Sequence, residues 1–203
     1  MPAITAIKKQ IKREDRFSVY LDGKYAFSLS SSELIQSRLH EGDQVSGQQI
    51  EDFKRVSTLG KLYDRVMTLL MARPRSEQEI KLYFKKKETP PDIADTILQR
   101  LKSEGHIDDE SFAQWWVDQR RQFKSRSRRM LQAELAQKGI KRRIADDVLS
   151  HVERSDDLEM LKTLIEKKRR LTRYQDREKL IAYLARQGFG YGDVVQALND
   201  LEH

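Results

Sequence analysis

The chain has 203 residues, no cysteine, a formal net charge of +7 and a sequence pI of about 9.5. Lack of cysteine excludes a disulfide framework and a thiolate metal site, and the four histidines are too scattered to form a ligand set. No apolar stretch is typical of a signal peptide or long enough to span a membrane. We therefore expect a cytoplasmic protein with no cofactor, no bound metal and no membrane contact. Its basic charge fits either an anionic partner or a merely soluble surface.

The first 30 residues are the only part of the chain with a strand pattern. Two runs of alternating apolar and polar residues flank Asp22-Gly23, a pair typical of a type I′ hairpin turn. A lone hairpin is marginally stable in water, so we expect this one to pack on the helices that follow. The residues predicted on or near the buried face of the sheet are Phe17, Val19, Leu21, Tyr25, Phe27 and Leu29.

Two helices are predicted directly after the hairpin. Ser31 or Ser32 caps a short helix that runs to about Leu39, and Ser46 caps the next one. We assign residues 1–56 to an N-terminal strand-plus-helix extension.

From Leu59 onward the pattern is helical and repeats itself. Each repeat contains a polar cap, two apolar positions four residues apart and, in two of three cases, a glycine stop. The first set maps onto the second with a shift of 51 residues, and the second maps onto the third with a shift of 49. The sets are Ser76, Ile80 and Phe84; Ser127, Leu131, Leu135 and Gly139; and Asp176, Leu180, Leu184 and Gly188.

Any three-helix bundle has apolar residues at this spacing, but the matching caps and near-equal periods favour true repeats. We therefore predict a mainly α protein with three-helix repeats at 57–107, 108–154 and 155–203. Stacked in tandem, they form an elongated, curved array behind the small N-terminal extension.

The positive charge is concentrated in Val117–Arg143, where ten basic residues face two acids, giving a local charge of +8. Cations at the start of a helix oppose its dipole, so local stability does not explain the arginines after residue 125. Guanidinium groups bind phosphate and carboxylate oxygens, which favours an anionic partner over a solvated face. The basic residues are Arg120, Arg121, Lys124, Arg126, Arg128, Arg129, Lys138, Lys141, Arg142 and Arg143.

Two smaller basic clusters occur at similar places in the first and third repeats. If the repeats stack in register, these clusters line one groove together with the central one. They include Arg73, Arg75, Lys85, Lys86 and Lys87 in the first, and Lys167, Lys168, Arg169 and Arg170 in the third.

The remaining motifs have structural explanations. Adjacent helical residues point about 100° apart, so we assign Trp116 to the core with Phe112. Trp115 packs in the core or between repeats, or it stacks on a ligand. Asp108-Asp109-Glu110 opens a helix, where acids complement the dipole, and Gly188–Gly192 follows a helix rather than a strand, unlike a nucleotide-binding loop. No catalytic residues are expected. A nuclease would require metal-dependent turnover.

Residues 108–113 together with Arg126-Ser127, Glu134–Ile140 and Ile144-Ala145 resemble the bacterial RecX family. The resemblance covers about residues 59–201, with Glu88 in place of a glycine stop in the first repeat. It implies a negative regulator that lies in the groove of the RecA–DNA filament and inhibits the ATPase, strand-exchange and coprotease activities of RecA, modulating recombination, repair and the SOS response. It also implies weaker binding to single- and double-stranded DNA, and we expect a monomer. The alternative is a DNA-binding repeat protein that acts without RecA.

Overall fold

The computed structural model of the chain describes residues 1–11, 13–124, 126–152 and 154–201. It contains a three-stranded sheet followed by helices, in agreement with the predicted mainly α class. Contacts divide it into two compact units: Met1–Arg73 with Pro90–Gln99, and Pro74–Thr89 with the chain from Arg100 onward.

In the described chain the strands come first and the helices follow. The strands are β1 (Ile4–Lys9), β2 (Arg16–Leu21) and β3 (Lys24–Ser30). The first helices are α1 (Ser31–Ser37), α2 (Gly47–Ala72), α3 (Glu77–Lys86) and α4 (Pro91–Ser103). They are followed by α5 (Asp109–Lys124), α6 (Arg128–Gln137), α7 (Arg142–Ser150) and α8 (Arg154–Arg169). A short 3₁₀ turn (Thr172–Tyr174) precedes α9 (Arg177–Arg186) and α10 (Tyr191–Asp200).

The first unit is an antiparallel sheet in the order β1-β2-β3, covered by α1 and α2. The predicted hairpin turn is confirmed, because Asp22 and Gly23 both have positive φ, +47° and +78°. The capping residue of α1 is Ser30 rather than the predicted Ser31 or Ser32, whereas Ser46 caps α2 as predicted. The core contains Ile4, Val19, Leu21, Phe27, Leu29 and Val45.

The prediction that Tyr25 is buried is wrong. Tyr20 pairs with Tyr25, whereas the neighbouring Val19 pairs with Phe27, so Ala26 is an extra residue in β3. Such a bulge reverses the alternation of side chains. Tyr25 therefore packs edge-on against Tyr20 and is 52% exposed, while Phe27 is buried.

Arg16, placed by its alternation on the polar side of β2, is 1% exposed. Its Nη1 lies 3.1 Å from Oδ2 of Asp64 in α2, and its Nη2 donates to the carbonyl of Ser28 in β3 at 3.0 Å. The Ser28 amide in turn donates to Ser57 Oγ of α2 at 3.2 Å. The helix covers the outer strand β3 through these polar contacts.

Helix α2 is continuous from Gly47 to Ala72, so it runs through the predicted boundary between residues 56 and 57. Two segments predicted as separate helices, one starting at Ser46 and one after Leu59, are the two ends of this helix. The extension and the first repeat therefore share a helix rather than meeting at a linker.

The second unit contains the cores of the second and third repeats. Helices α5, α6 and α7 enclose one core, and helices α8, α9 and α10 enclose the other. The second-repeat core residues predicted above, Phe112, Trp116, Leu131 and Leu135, are all buried, and so are Ile144 and Val148 of α7.

Successive repeats meet at a recurring joint. The capped start of the second helix of one repeat contacts the glycine stop of the next. Ser76 Oγ donates to the carbonyl of Lys138 at 2.8 Å, and a Cβ on Gly139 would lie 2.4 Å from Gln78 Cβ. We call this contact the first joint.

The second joint has the same arrangement one repeat later. The Ser127 amide donates to the carbonyl of Gln187 at 3.4 Å. A Cβ on Gly188 would lie 2.4 Å from Ser127 Oγ. Both joint glycines also have positive φ, +77° at Gly139 and +89° at Gly188. Each position therefore has two requirements that glycine meets: a left-handed backbone and no room for a Cβ.

Candidate partner-binding surface

Four of the described cations in the central basic stretch form partly buried ion pairs with acids of the protein itself. Arg120 Nε lies 2.8 Å from Glu134 Oε2, and Arg126 Nε lies 3.2 Å from Glu134 Oε1. Arg121 Nη1 lies 2.8 Å from Asp157 Oδ1, and Lys138 Nζ lies 2.7 Å from Glu79 Oε1. These side chains are mostly buried, so the surface available to a partner is narrower than the predicted one. The side chain of Lys124 lies outside the described residues.

Glu134 also holds the indole of Trp116, whose Nε1 donates to Glu134 Oε2 at 2.9 Å. The Arg120 guanidinium and the Lys138 ammonium lie 4.0 Å and 4.6 Å from the Trp116 ring centroid. The ring is 8% exposed and stacks on Phe112. Trp115 is partly buried and packs against the same core, which agrees with the packing role expected for it.

The exposed cations of the stretch form two groups. The first group is Arg128 and Arg129, the opening residues of α6. The second group is Lys141, Arg142 and Arg143, at the start of α7. Since α6 has ten residues, about 15 Å of helix separates its start from the end that leads into α7. The structure does not bring the two groups together.

Neither group is explained by the stability of its own helix. Cations at a helix start face the positive end of the dipole, which is unfavourable. Arg142 and Arg143 have side chains 88% and 85% exposed, with acid partners at 3.5 Å and 3.6 Å. Exposed pairs of this kind contribute little. Arg128 and Arg129 are exposed and form no ion pair within the described residues.

The smaller clusters differ in this respect. Lys85 and Lys86 lie in the last turn of α3, and Lys167, Lys168 and Arg169 lie in the last turn of α8. Cations there complement the helix dipole, so stability accounts for them. Lys168 Nζ also lies 4.8 Å from the ring centroid of Tyr183.

The remaining members of these clusters have mixed surroundings. Lys87 and Arg170 are exposed, whereas Arg73 and Arg75 are half-buried. That the clusters line one groove with the central stretch stays a prediction.

A cavity of about 380 Å³ lies beside the first group, between the second and third repeats. Leu158, Leu161 and Phe189 supply its apolar wall. The start of α6, with Arg128 and Arg129, lies on one side, and Gly190 and Asp193 at the start of α10 lie on another.

The acidic cluster at the start of α5 has a structural role, as expected. Asp108 accepts from Ser111 Oγ at 2.6 Å, and this hydrogen bond lowers the pKa of Asp108. Asp109 accepts from the Glu77 amide at the start of α3 at 2.9 Å, while burial raises the pKa of Asp109. The two carboxylates cap helices rather than face an open cleft. No helix in the described ranges is both long and apolar enough to cross a bilayer.

Tandem three-helix repeats behind a small N-terminal sheet define a class of helical-repeat protein. Family models agree with this class and match the chain in four segments. These are the regulatory protein RecX N-terminal domain (residues 2–46) and the first (63–101), second (108–149) and third (155–198) RecX three-helix domains. The chain belongs to the RecX family. The match at residues 2–46 brings the N-terminal extension into the family, beyond the expected limit of about residue 59.

Individual relatives and solved structures agree. Regulatory protein RecX of Bacillus subtilis is 28% identical over 207 residues, covering 100% of this chain and 78% of the relative. That of Limosilactobacillus reuteri is 33% identical over 167 residues, covering 82% and 63%. A crystal structure of regulatory protein RecX superposes with a TM-score of 0.73 at 28% identity, covering 98% of this chain and all of the other. RecX from Lactobacillus salivarius shares the fold, with a TM-score of 0.60 at 22% identity over 71% of this chain and 96% of that one.

Proposed function

We propose that this protein is a negative regulator of RecA. It binds the RecA–DNA filament and inhibits ATP hydrolysis, strand exchange and coprotease activity, and so restrains recombination, repair and the SOS response. The family is one of regulatory proteins, which supports a regulatory role. The RecA filament presents protein carboxylates and DNA phosphates together, which suits a protein with two separate groups of arginine and lysine.

The observation that carries the proposal is the placement of the first and second groups. Five exposed cations stand at two helix starts, where each opposes a helix dipole, and among the described residues none of their side chains enters a buried contact. Guanidinium forks at such positions bind carboxylate or phosphate oxygens in pairs. The four partly buried cations around Glu134, Asp157 and Glu79 already pair with acids of the protein itself.

The test is the ATPase activity of RecA on single-stranded DNA, titrated with this protein. We expect inhibition by the wild type and at least about tenfold weaker inhibition by the double variant Arg128→Glu/Arg129→Glu, since each reversal replaces an attraction with a repulsion. Arg126 is left unchanged because its reversal would set a carboxylate beside Glu134 and disturb the fold.

A matched control carries the same change in charge elsewhere. Lys9 and Lys24 are exposed residues of the N-terminal sheet, and Lys9→Glu/Lys24→Glu should inhibit like the wild type. Equal loss in both double variants would mean that net charge, not this surface, governs binding. Equal affinity of the wild type for bare and RecA-coated DNA, with ATP hydrolysis unaffected, would instead favour a DNA-binding protein that acts without RecA.

A further inference from the structure

We propose that the cavity between the second and third repeats receives an apolar side chain flanked by carboxylates, from an acidic segment of the partner protein. The inference rests on the proposed function for the identity of that partner. The cavity volume of about 380 Å³ is within the range of pockets that bury a ligand group.

The wall of the cavity is suited to an apolar anchor. Leu161 and Phe189 are buried members of the third-repeat core, and Leu158 is partly exposed above them. An apolar side chain inserted here would continue the existing core outward. The second joint holds this wall in place, because the stop at Gly188 packs on Ser127 at the start of α6.

The rim of the cavity is suited to carboxylates. Arg128 and Arg129 extend from the start of α6, and Gly190 begins α10 without a side-chain cap. The lining carboxylate of Asp157 is already engaged, since Oδ1 binds Arg121 Nη1 at 2.8 Å and Oδ2 accepts from the Arg128 amide at 3.1 Å. The two exposed guanidinium groups of the rim are thus available to acids that flank an inserted side chain.

The same lining disfavours a nucleic acid. The cations of the lining are Arg128 and Arg129 at one helix start, whereas a strand of nucleic acid requires a positive track along successive phosphates. Phe189 is 7% exposed and so offers no open ring face for stacking a base. A segment of protein with one apolar residue between acids matches both the wall and the rim.

The first experiment blocks the cavity. Gln132 is an exposed lining residue on α6, and Gln132→Trp places an indole over the mouth without disturbing the core. Gln196→Trp makes the same change at an exposed position of α10 that does not line the cavity. We expect Gln132→Trp to weaken binding to RecA filaments on single-stranded DNA by about tenfold or more, and Gln196→Trp to bind like the wild type.

The outcomes separate this inference from the proposed function. If the wild type fails to bind the filament, the proposed function fails. If the wild type and Gln132→Trp bind equally well, the cavity is not used and the inference is overturned. Equal thermal stability of the two tryptophan variants establishes that both are folded. Should Gln132→Trp unfold, Leu158→Ala, which removes an apolar contact without adding bulk, takes its place with the same expectation.

The second experiment needs no RecA. Two synthetic peptides, Glu-Asp-Phe-Asp-Glu and Glu-Asp-Ala-Asp-Glu, are titrated into the ¹⁵N-labelled full chain. We expect the phenylalanine peptide to shift the amide resonances of Leu161, Phe189 and Gly190, and the alanine peptide to shift them much less. Equal shifts from both peptides would show that only the acidic residues bind, and would overturn the proposal that the cavity receives an apolar side chain. Larger shifts at these amides from oligothymidylate would assign the cavity to nucleic acid and overturn the proposal.

Discussion

Glu134 has a structural role that its position in the sequence does not indicate. In the sequence it is one of two acids that offset ten cations. In the structure its carboxylate accepts from the Trp116 indole and the Arg120 guanidinium and lies 3.2 Å from Arg126 Nε. Glu134 therefore joins the core of the second repeat to part of the basic stretch.

Replacing Glu134 should destabilise the fold strongly. Glu134→Ala leaves a buried indole N–H and two largely buried guanidinium groups without their acceptor, so we expect a loss of about 3 kcal/mol in the free energy of unfolding. Glu110→Ala removes an exposed acid paired with Arg143 and should cost less than about 1 kcal/mol. Urea denaturation of both variants measures the difference. A similar decrease in the free energy of unfolding for both variants would show that the Glu134 contacts stabilise the fold no more than an exposed ion pair does.

The local sequence pattern was sufficient to predict burial where burial depends on residues nearby in the chain. The spacing of Phe112 and Trp116 was enough to place both in the core, which the structure confirms. The pairing of Arg126 was out of reach, because its amide partner Gln187 is 61 residues away. Tyr25 was misplaced because a bulge of one residue leaves no mark in the composition of a strand.

At the scale of elements, the joints explain why the stops of the second and third repeats are glycine. Helix termination alone favours glycine at positive φ, but Glu88 ends α3 with φ +50° and so shows that another residue is tolerated. At Gly139 and Gly188 the neighbouring repeat approaches so closely that any Cβ would collide with it. The sequence predicted the positions of the helix caps and stops. It could not predict the lack of room for a Cβ, because that depends on how the repeats pack against each other.

Alanine substitutions separate the two requirements. Gly105 has φ +73° and open space around it. Gly105→Ala should therefore lower the free energy of unfolding by about 1 kcal/mol, because only the left-handed backbone is unfavourable for alanine. Gly139→Ala and Gly188→Ala add a collision and should cost about 3 kcal/mol each. Thermal unfolding monitored by circular dichroism compares the three variants. If Gly105→Ala proved as costly as the other two, the close approach of the repeats would be irrelevant to stability.

Over the whole molecule, the net charge of +7 is a poor guide to how many phosphates the protein neutralises. At least four cations of the central stretch are committed to internal carboxylates. If the first group binds protein carboxylates, the second group is left for phosphates. The run of basic residues could be found from the sequence. Which of them pair with internal acids and which remain exposed could not, because Asp157 and Glu79 are brought close only by folding.

The salt dependence of binding to bare single-stranded DNA tests this division. Each phosphate contact contributes a slope of about −0.7 in a plot of log affinity against log salt concentration. Lys141→Gln/Arg142→Gln/Arg143→Gln should therefore make the slope shallower by about 2. Arg128→Gln/Arg129→Gln should leave the slope nearly unchanged. Fluorescence anisotropy at several salt concentrations measures both, and the reverse pattern would assign the phosphates to the first group.

The joint between repeats also has a direction, and a directional contact that does not close into a ring generates open fibres. The chain breaks the pattern at each end of its own series. Asp176 stands where Ser76 and Ser127 stand in the other repeats, and its carboxylate accepts from the amides of Glu178 and Lys179. A hydrogen bond from the Lys179 side chain lowers the pKa of Asp176, so an approaching carbonyl would meet a negative charge.

At the other end, Glu88 carries a Cβ at the position where the joint tolerates none. A second copy of the protein that approached either end of the series would meet a residue unlike those of the internal joints. We therefore expect Glu88 and Asp176 to disfavour the joint between separate copies of the chain and to leave it as a contact within one chain.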